Sequence, residues 1–130
     1  MIEDAIRTKL LANTTLAGYI GTRIYPVYLP QDSAFPAITY QQIVNPEHHD
    51  IDVASPTYQF SVFALTFANM KAIVSEIYTA LQREKGTWST LTVIQGVYLD
   101  GRDLENPGNA TDTTKIYGYA VDYKIVYRTK

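Results

Sequence analysis

Two stretches of this chain alternate apolar and polar residues, which is the pattern of a strand with one buried face. They cover residues 57–65 and 115–127. Residues 37–44 and 91–99 are shorter runs rich in β-branched and aromatic residues, which favour strands as well. The pattern therefore predicts four strands.

Helical spacing of apolar residues marks two other parts of the chain. The first predicts a helix over 2–12, followed by a short helical turn over 14–19 with Thr14 or Thr15 as its cap and Gly21 after its end. The second predicts the strongest helix, with Thr66 as its N-cap and Gly86 closing its far end. One continuous apolar stripe defines that helix: Phe67, Met70, Ile73, Val74, Ile77 and Leu81.

The order of these elements is helix, strand, strand, helix, strand, strand. It predicts an α+β fold, with a four-stranded, mainly antiparallel sheet, two helices packed on one face and long polar loops. The length of 130 residues indicates a single domain over 1–130. A hydrophobic content of 46% supplies an ordinary core.

Tyrosine is the unusual component of the composition, with 11 copies. Tyr117, Tyr119, Tyr123 and Tyr127 fall on one face of the last predicted strand. Two interpretations remain open: the face packs under the helices, or it is a surface for a neighbouring subunit.

The charge balance argues against several classes of partner. Lys and Arg number 11, Asp and Glu number 13, and the basic residues are scattered, so we expect no specific nucleic-acid binding. No apolar run approaches the length of a membrane span, and the N-terminus does not resemble a signal peptide. We therefore expect no membrane partner, and a protein made in the cytoplasm.

Candidate chemistry is sparse. The chain has no cysteine, no glycine-rich phosphate loop, no Gly-x-Ser-x-Gly elbow and no His-Glu-x-x-His helix. His48, His49, Asp50 and Asp52 are the one cluster of metal-ligand types, but neighbours on an extended chain point apart, so a solvated hairpin tip is favoured over a metal site. The acidic loop over 100–112 lacks calcium-loop spacing. We predict no enzyme activity, no metal and no cofactor.

Turn and strand residues in the first two-thirds of the chain carry a family resemblance. They are Gly-Thr-Arg-Ile-Tyr-Pro at 21–26, Pro-Gln at 30–31, Phe-Pro-Ala-Ile-Thr-Tyr-Gln at 35–41, a polar tip at 48–52 and Gln-Phe-Ser-Val-Phe-Ala at 59–64. In this order and spacing the chain resembles the tail-completion, or head-to-tail joining, proteins of long-tailed bacteriophages and prophages. The resemblance covers residues 2 to about 84, and the last strand is compatible with it.

The resemblance implies a structural virion protein at the junction of tail and head. Such a protein caps the finished tail tube as a ring, implied to be hexameric, and offers a surface to the head connector; its partners would be further copies of itself, the tail-tube protein and a connector or neck protein. No cofactor is implied. The alternatives are another small neck or minor tail protein and, in a different class, a small ligand- or carbohydrate-binding domain.

Two polar segments are the predicted contact regions, because long loops on a compact domain without an active site favour binding over catalysis. The segment 45–56 is expected to meet the tube or a neighbouring subunit, and the segment 100–114 the next ring. The predicted interface residues are Glu47, His48, His49, Asp50, Asp52, Arg102, Asp103, Glu105 and Asn109.

Overall fold

The computed structural model describes residues 2–30, 34–44, 47–48, 53–88, 91–104 and 116–128. The helices within this part of the chain are α1 (Ile2–Leu11), α2 (Thr14–Ile20) and α3 (Phe67–Leu81). The strands are β1 (Ile24–Pro26), β2 (Ala37–Val44), β3 (Glu47–His48), β4 (Val53–Ala54), β5 (Thr57–Ala64), β6 (Gly86–Trp88), β7 (Leu91–Leu104) and β8 (Tyr117–Arg128).

The strands form one mixed sheet that curls into a half-barrel, with β8 near its middle. One edge of β8 pairs with β4 and β5, and the other pairs with β7. Beyond β5 lies β2 and then β1, which runs parallel to β2, whereas β6 lies beyond part of β7. The predicted four-stranded, mainly antiparallel sheet with two helices is therefore wrong. The described residues form eight strands and three helices.

The missed elements are the short ones. Strands of two or three residues, such as β1, β3, β4 and β6, contain too few positions to show a period of two. Their place in the sheet depends on long-range pairing instead. The short helix α2 spans seven residues, where the sequence pattern predicts only a helical turn.

The core lies between the helices and one face of the sheet. The alternation predicted for residues 57–65 is confirmed, since the even-numbered residues of β5 are buried and the odd-numbered ones are half-buried. The helices cover this face, and Tyr58 donates a hydrogen bond to the Glu3 carboxylate on α1. On α3 the predicted stripe is buried at Met70, Ile73, Ile77 and Leu81, but Phe67 is exposed.

Polar side chains cap the N-termini of α2 and α3, but the cap of α2 is not the predicted residue. The Asn13 side chain accepts hydrogen bonds from the backbone N–H groups of Thr15 and Leu16 (3.0 and 3.1 Å), so the N-cap of α2 is Asn13 and not Thr14 or Thr15. Asn13 also donates to Glu76 on α3 (3.0 Å), which ties two helices together. Thr66 caps α3 as predicted.

Of the two predicted helix ends, one is confirmed. Gly21 ends α2 with a positive φ of 60°, as expected of a glycine after a helix. Gly86 does not close α3. The helix ends at Leu81, Gln82 is its C-cap, and Gly86 begins β6.

Candidate interaction surfaces

The segment predicted as a polar connector over 45–56 is strand at both ends. β2 pairs with β5 as far as Val44 opposite Thr57, and β3 continues in the same register, with Glu47 opposite Ala54. On the other side, β4 and β5 pair with β8 in one unbroken register. The strands β2 and β3 pair with β5 and β4 to form a long hairpin, and we call its outer part, residues 41–44, 47–48 and 53–57, the arm.

The arm is anchored to the body of the sheet rather than loosely attached. Ala54 and Ser55 are buried, and the carbonyl of Pro56 accepts a hydrogen bond from the Ile125 N–H (3.0 Å). At its base, the Gln41 side chain donates to the Gln59 side chain across the strand pair (2.9 Å). The arm therefore holds its end in a fixed position relative to β8.

The predicted interface residues of the first region divide into two groups. Glu47 and His48 form β3 on the outer edge of the arm. The other three, His49, Asp50 and Asp52, lie outside the described residues.

The second region begins as strand and not as loop. β7 continues to Leu104, so Arg102 and Asp103 belong to the sheet, and the expectation of a loop starting at residue 100 is wrong. The Arg102 guanidinium lies 3.6 Å from the Asp122 carboxylate, and the Lys71 ammonium lies 3.3 Å from Asp103. Glu105 and Asn109 lie outside the described residues.

An aromatic cluster next to this region was not predicted as a contact surface. The rings of Phe67 and Tyr117 meet edge to face at 6.0 Å, and both are exposed, as is Leu65. The Lys71 ammonium lies over the rings of Phe67 (5.3 Å) and Tyr119 (4.4 Å). Helical periodicity places Phe67 in the core stripe, and only the three-dimensional position of the helix start shows that it lies outside.

A second exposed feature follows β1. Val27 has a φ of 65°, a left-handed conformation that β-branched residues rarely adopt, and its side chain is 49% exposed. Tyr28 is 80% exposed, the most open of the large apolar side chains among the described residues. The turn lies beside the arm, because the Val27 N–H donates to the Tyr40 carbonyl (2.8 Å). Pro26 indicated from the sequence that a strand ends here. Nothing in the sequence indicated the exposed turn that follows it.

The tyrosine face of β8 is graded from buried to exposed. Tyr123 is fully buried, Tyr119 and Tyr127 are half-buried, and Tyr117 is exposed. Burial raises the pKa of Tyr123, and burial together with the bond to Glu3 raises the pKa of Tyr58. Packing under the helices thus accounts for the middle of this face. A sugar could not stack on the Tyr123 ring, as the carbohydrate-binding alternative required.

Within the described ranges, no three His, Cys, Asp or Glu side chains gather closely enough to hold a metal ion. The helices of that part of the chain include none long and apolar enough to cross a bilayer.

The two predicted contact regions lie at opposite ends of β8. The arm pairs with β8 where Ala54 is opposite Tyr127, and the second region pairs where Asp103 is opposite Tyr119. Eight residues of an extended strand separate these positions, which corresponds to roughly 27 Å. A molecule with this layout can touch two different partners at once.

Comparisons with known proteins found a matching family model and a similar solved structure. A family model described as "Tail completion protein gp17" matches residues 4–128. Among solved structures, a chain from a structure titled "Virion of native gene transfer agent (GTA) particle" shares the fold with a TM-score of 0.72 at 16% identity, covering 95% of this chain and 91% of that chain. No curated protein matches the chain.

Proposed function

This chain belongs to the tail completion protein gp17 family, and from that premise we propose that it caps the finished tail tube as a ring and joins the tail to the head connector. As a member of the family it is a structural protein of the tail or neck of a phage-like virion. The proposal adds a ring of six copies and two partners, a tail-tube protein and a head connector or neck protein. It includes neither a cofactor nor catalysis.

The placement of the two contact regions at opposite ends of β8 carries this proposal. A joining protein must bind one partner below and another above, and its copies must also bind each other. The arm and the Phe67–Tyr117 cluster provide two separate surfaces on one rigid sheet. The arm would meet the tube or a neighbouring copy. The Phe67–Tyr117 cluster, at the Arg102–Asp103 end of the sheet, would meet the next ring, which leaves the backbone edge of β7 for a neighbouring copy.

Localisation in particles tests the position in the virion. The protein is labelled and imaged by electron microscopy in tails purified without heads and in complete particles. Label at the head-proximal end of both, on a ring seen end-on, supports the proposal. Label elsewhere along the tail would instead identify another minor tail or neck protein.

A tip variant tests the joining step. Residues 49–52 are replaced by Gly-Ser-Gly-Ser, which leaves the paired residues of β3 and β4 in place. We expect a folded protein that fails to complement a knockout, with separate heads and tails accumulating. A matched control is Lys85→Ser, an exposed change in the turn after α3. Normal infectious particles from the tip variant would contradict a role of the arm in joining.

A further inference from the structure

The edges of the sheet are the places where another chain could extend it. An unpaired edge presents backbone N–H and C=O groups, which template pairing with a further strand unless the edge is blocked. Successive residues of a strand direct their N–H and C=O groups to opposite sides. The residues that direct these groups outward therefore show whether an edge is paired or open.

The edge formed by β1 is blocked. Of its outward-pointing residues, Ile24 donates its N–H to the Thr22 carbonyl (2.8 Å), and Pro26 has no N–H. The Pro26 carbonyl already accepts from the Tyr28 N–H (2.7 Å). This edge therefore offers almost nothing to another strand.

The opposite edge, β7, is blocked only along its first half. β6 pairs with the first three residues of β7. The chain after α3 pairs with Gly96: the Gly96 N–H donates to the Glu84 carbonyl (3.0 Å), and the Gly96 carbonyl accepts from the Arg83 N–H (2.8 Å). The Tyr98 N–H donates to the Gln82 side chain (2.7 Å). Among the described residues, nothing pairs with the outer side of β7 from Leu99 to Leu104.

Within that open half, Gly101 and Asp103 point outward. Gly96 and Tyr98 point away from β8, and after the extra residue Leu99 the alternation places Gly101 and Asp103 on the outer side. The Gly101 N–H is taken by the Asp100 carboxylate (2.8 Å). The N–H and C=O of Asp103 remain without a backbone partner in the described part of the chain.

The arm has a second open edge. Ile38 and Tyr40 point toward β1: the Ile38 N–H donates to Arg23, and the Tyr40 carbonyl accepts from Val27. Gln42 is next in this alternation and points to the same side, but β1 ends before reaching it. The outer side of the arm is thus unpaired at Gln42 and along β3, as far as the structure describes it.

We propose that the open edge of the arm in one copy pairs with the open edge of β7 in the next copy, so that the sheets of neighbouring subunits join into one. The inference rests on the proposed ring and identifies the surfaces that build it. Each edge is different, so the contact is heterologous, as a ring requires. The occupant of each edge is a second copy of this chain, because the chain carries both edges and they run in opposite directions.

Strand direction fits this pairing. Consecutive neighbours from β2 through β5 and β8 to β7 are antiparallel, so β2 and β7 of one chain run in opposite directions. When a neighbour extends the sheet, its β7 lies antiparallel to β2 of the first copy. Antiparallel pairing is also the more stable kind.

The register predicts a stagger between copies. Gln42 is opposite Tyr58, which is opposite Tyr123 of β8. Asp103 is opposite Tyr119, which lies four residues from Tyr123 along β8. Placing Asp103 of one copy beside Gln42 of the next shifts that copy by about 13 Å along the strands. A constant stagger is what tilts strands in a closed sheet.

Exposed apolar side chains flank both open edges. Ile43 is the extra residue of a bulge in the arm, and Leu99 is the extra residue of a bulge at the start of the open part of β7. Both are about half exposed, and Tyr28 lies beside the arm. Joining the edges would bury these side chains, which adds apolar burial to the backbone hydrogen bonds.

Thiol cross-linking tests the contact directly, because the natural chain contains no cysteine. Gln42→Cys and Asp103→Cys are made singly and together, and each protein is treated with a short bismaleimide in the presence of tail tubes. The double variant should give a covalent ladder of three or more subunits. Each single variant stops at dimers at most, because one thiol per chain cannot extend a ladder.

Proline variants test the backbone bonds. Gln42→Pro and Asp103→Pro each remove an outward N–H while leaving the pairing inside the chain intact. Gln42→Ala and Asp103→Ala are the matched controls, which keep the N–H. We expect ring formation on tubes, measured by mass photometry, to weaken about tenfold per contact in the proline variants relative to the alanine variants.

The outcomes separate the inference from the proposed function. If wild-type protein forms rings but the double cysteine variant gives no ladder and both proline variants still form rings, the edge pairing is overturned and the ring stands. Wild-type protein that never assembles on tubes would overturn both. Circular dichroism of each variant confirms folding, and the cross-linking result stands independently of the proline variants.

Discussion

Gly96 of β7 lies directly beneath the backbone of Leu81 at the end of α3. A Cβ placed on Gly96 would stand 2.2 Å from the Leu81 carbonyl oxygen, far inside contact distance. The two backbone bonds between Gly96 and the residues after α3 hold this close approach. The same contact blocks the first half of the β7 edge and leaves the second half open.

Gly96→Ala should destabilise the fold, because the nearest atoms belong to backbone and cannot rotate away. We expect the free energy of unfolding, measured in urea, to fall by about 1–3 kcal/mol. Gly18→Ala is the control: a Cβ placed on Gly18 in α2 would meet nothing within 4 Å apart from its chain neighbours and its own helix backbone, so alanine should stabilise by up to about 1 kcal/mol. Equal effects of the two substitutions would contradict the close approach.

Two buried tyrosines should respond in opposite ways to loss of the hydroxyl. Tyr58 donates to Glu3, so Tyr58→Phe should cost about 1.5–3 kcal/mol of unfolding free energy. The Tyr123 hydroxyl is buried without a hydrogen-bond partner in the described structure. Tyr123→Phe should therefore be neutral or stabilising by about 1 kcal/mol. Destabilisation of similar size in both variants would show that the Tyr123 hydroxyl is also bonded.

Alkaline pH should unfold the protein through the same residues. Burial raises the pKa of Tyr58 and Tyr123 above the ordinary 10.0, so the folded state keeps the phenol protons that the unfolded state loses. Their contribution is constant below about pH 10 and decreases above it, by about 1.4 kcal/mol per pH unit for each phenol. Urea unfolding at pH 8 to 11 checks this. The double Phe variant should decline less steeply, and identical slopes would contradict the prediction.

The long alternating patterns predicted the core of the sheet well, and the bulges explain much of what they missed. Ile43, Ile94 and Leu99 each occur where the register shifts by one residue, and each side chain is exposed. After Leu99 the residues Asp-Gly-Arg-Asp have the composition of a turn, which indicated a loop where β7 in fact continues. A bulge changes the phase of the alternation, and a single sequence gives no partner strand against which to detect it.

The candidate surfaces were predictable only in part for a similar reason. Polar composition identified the arm and the start of the second region. Whether a strand edge is open depends on its neighbours in the sheet, as Gln42 shows by extending past the end of β1. The Val27–Tyr28 turn and the exposed position of Phe67 likewise follow from tertiary geometry and not from local pattern.

The turn at Val27 should tolerate, and even favour, a residue suited to positive φ. Val27→Asn should stabilise the protein by about 1 kcal/mol, since Asn adopts the left-handed region more readily than a β-branched residue does. The melting temperature reports the change. Val27→Ala serves as the control, because it shortens the side chain without the local hydrogen bonding of Asn. A loss of stability in the Asn variant alone would indicate that the Val27 side chain packs in a way its exposure does not suggest.

Leu99 and Ile94 offer a matched test of the open edge. Both are bulge residues of β7 with comparable exposure, 48% and 39%, but Leu99 begins the open half and Ile94 lies in the half that β6 and the end of α3 cover. Leu99→Ser should weaken ring formation on tail tubes about tenfold, because an apolar side chain buried in the contact is lost. Ile94→Ser should leave assembly unchanged. Mass photometry measures the rings and thermal unfolding checks that both variants are equally stable. If Ile94→Ser impaired assembly as much as Leu99→Ser, the contact would not be confined to the open half of β7.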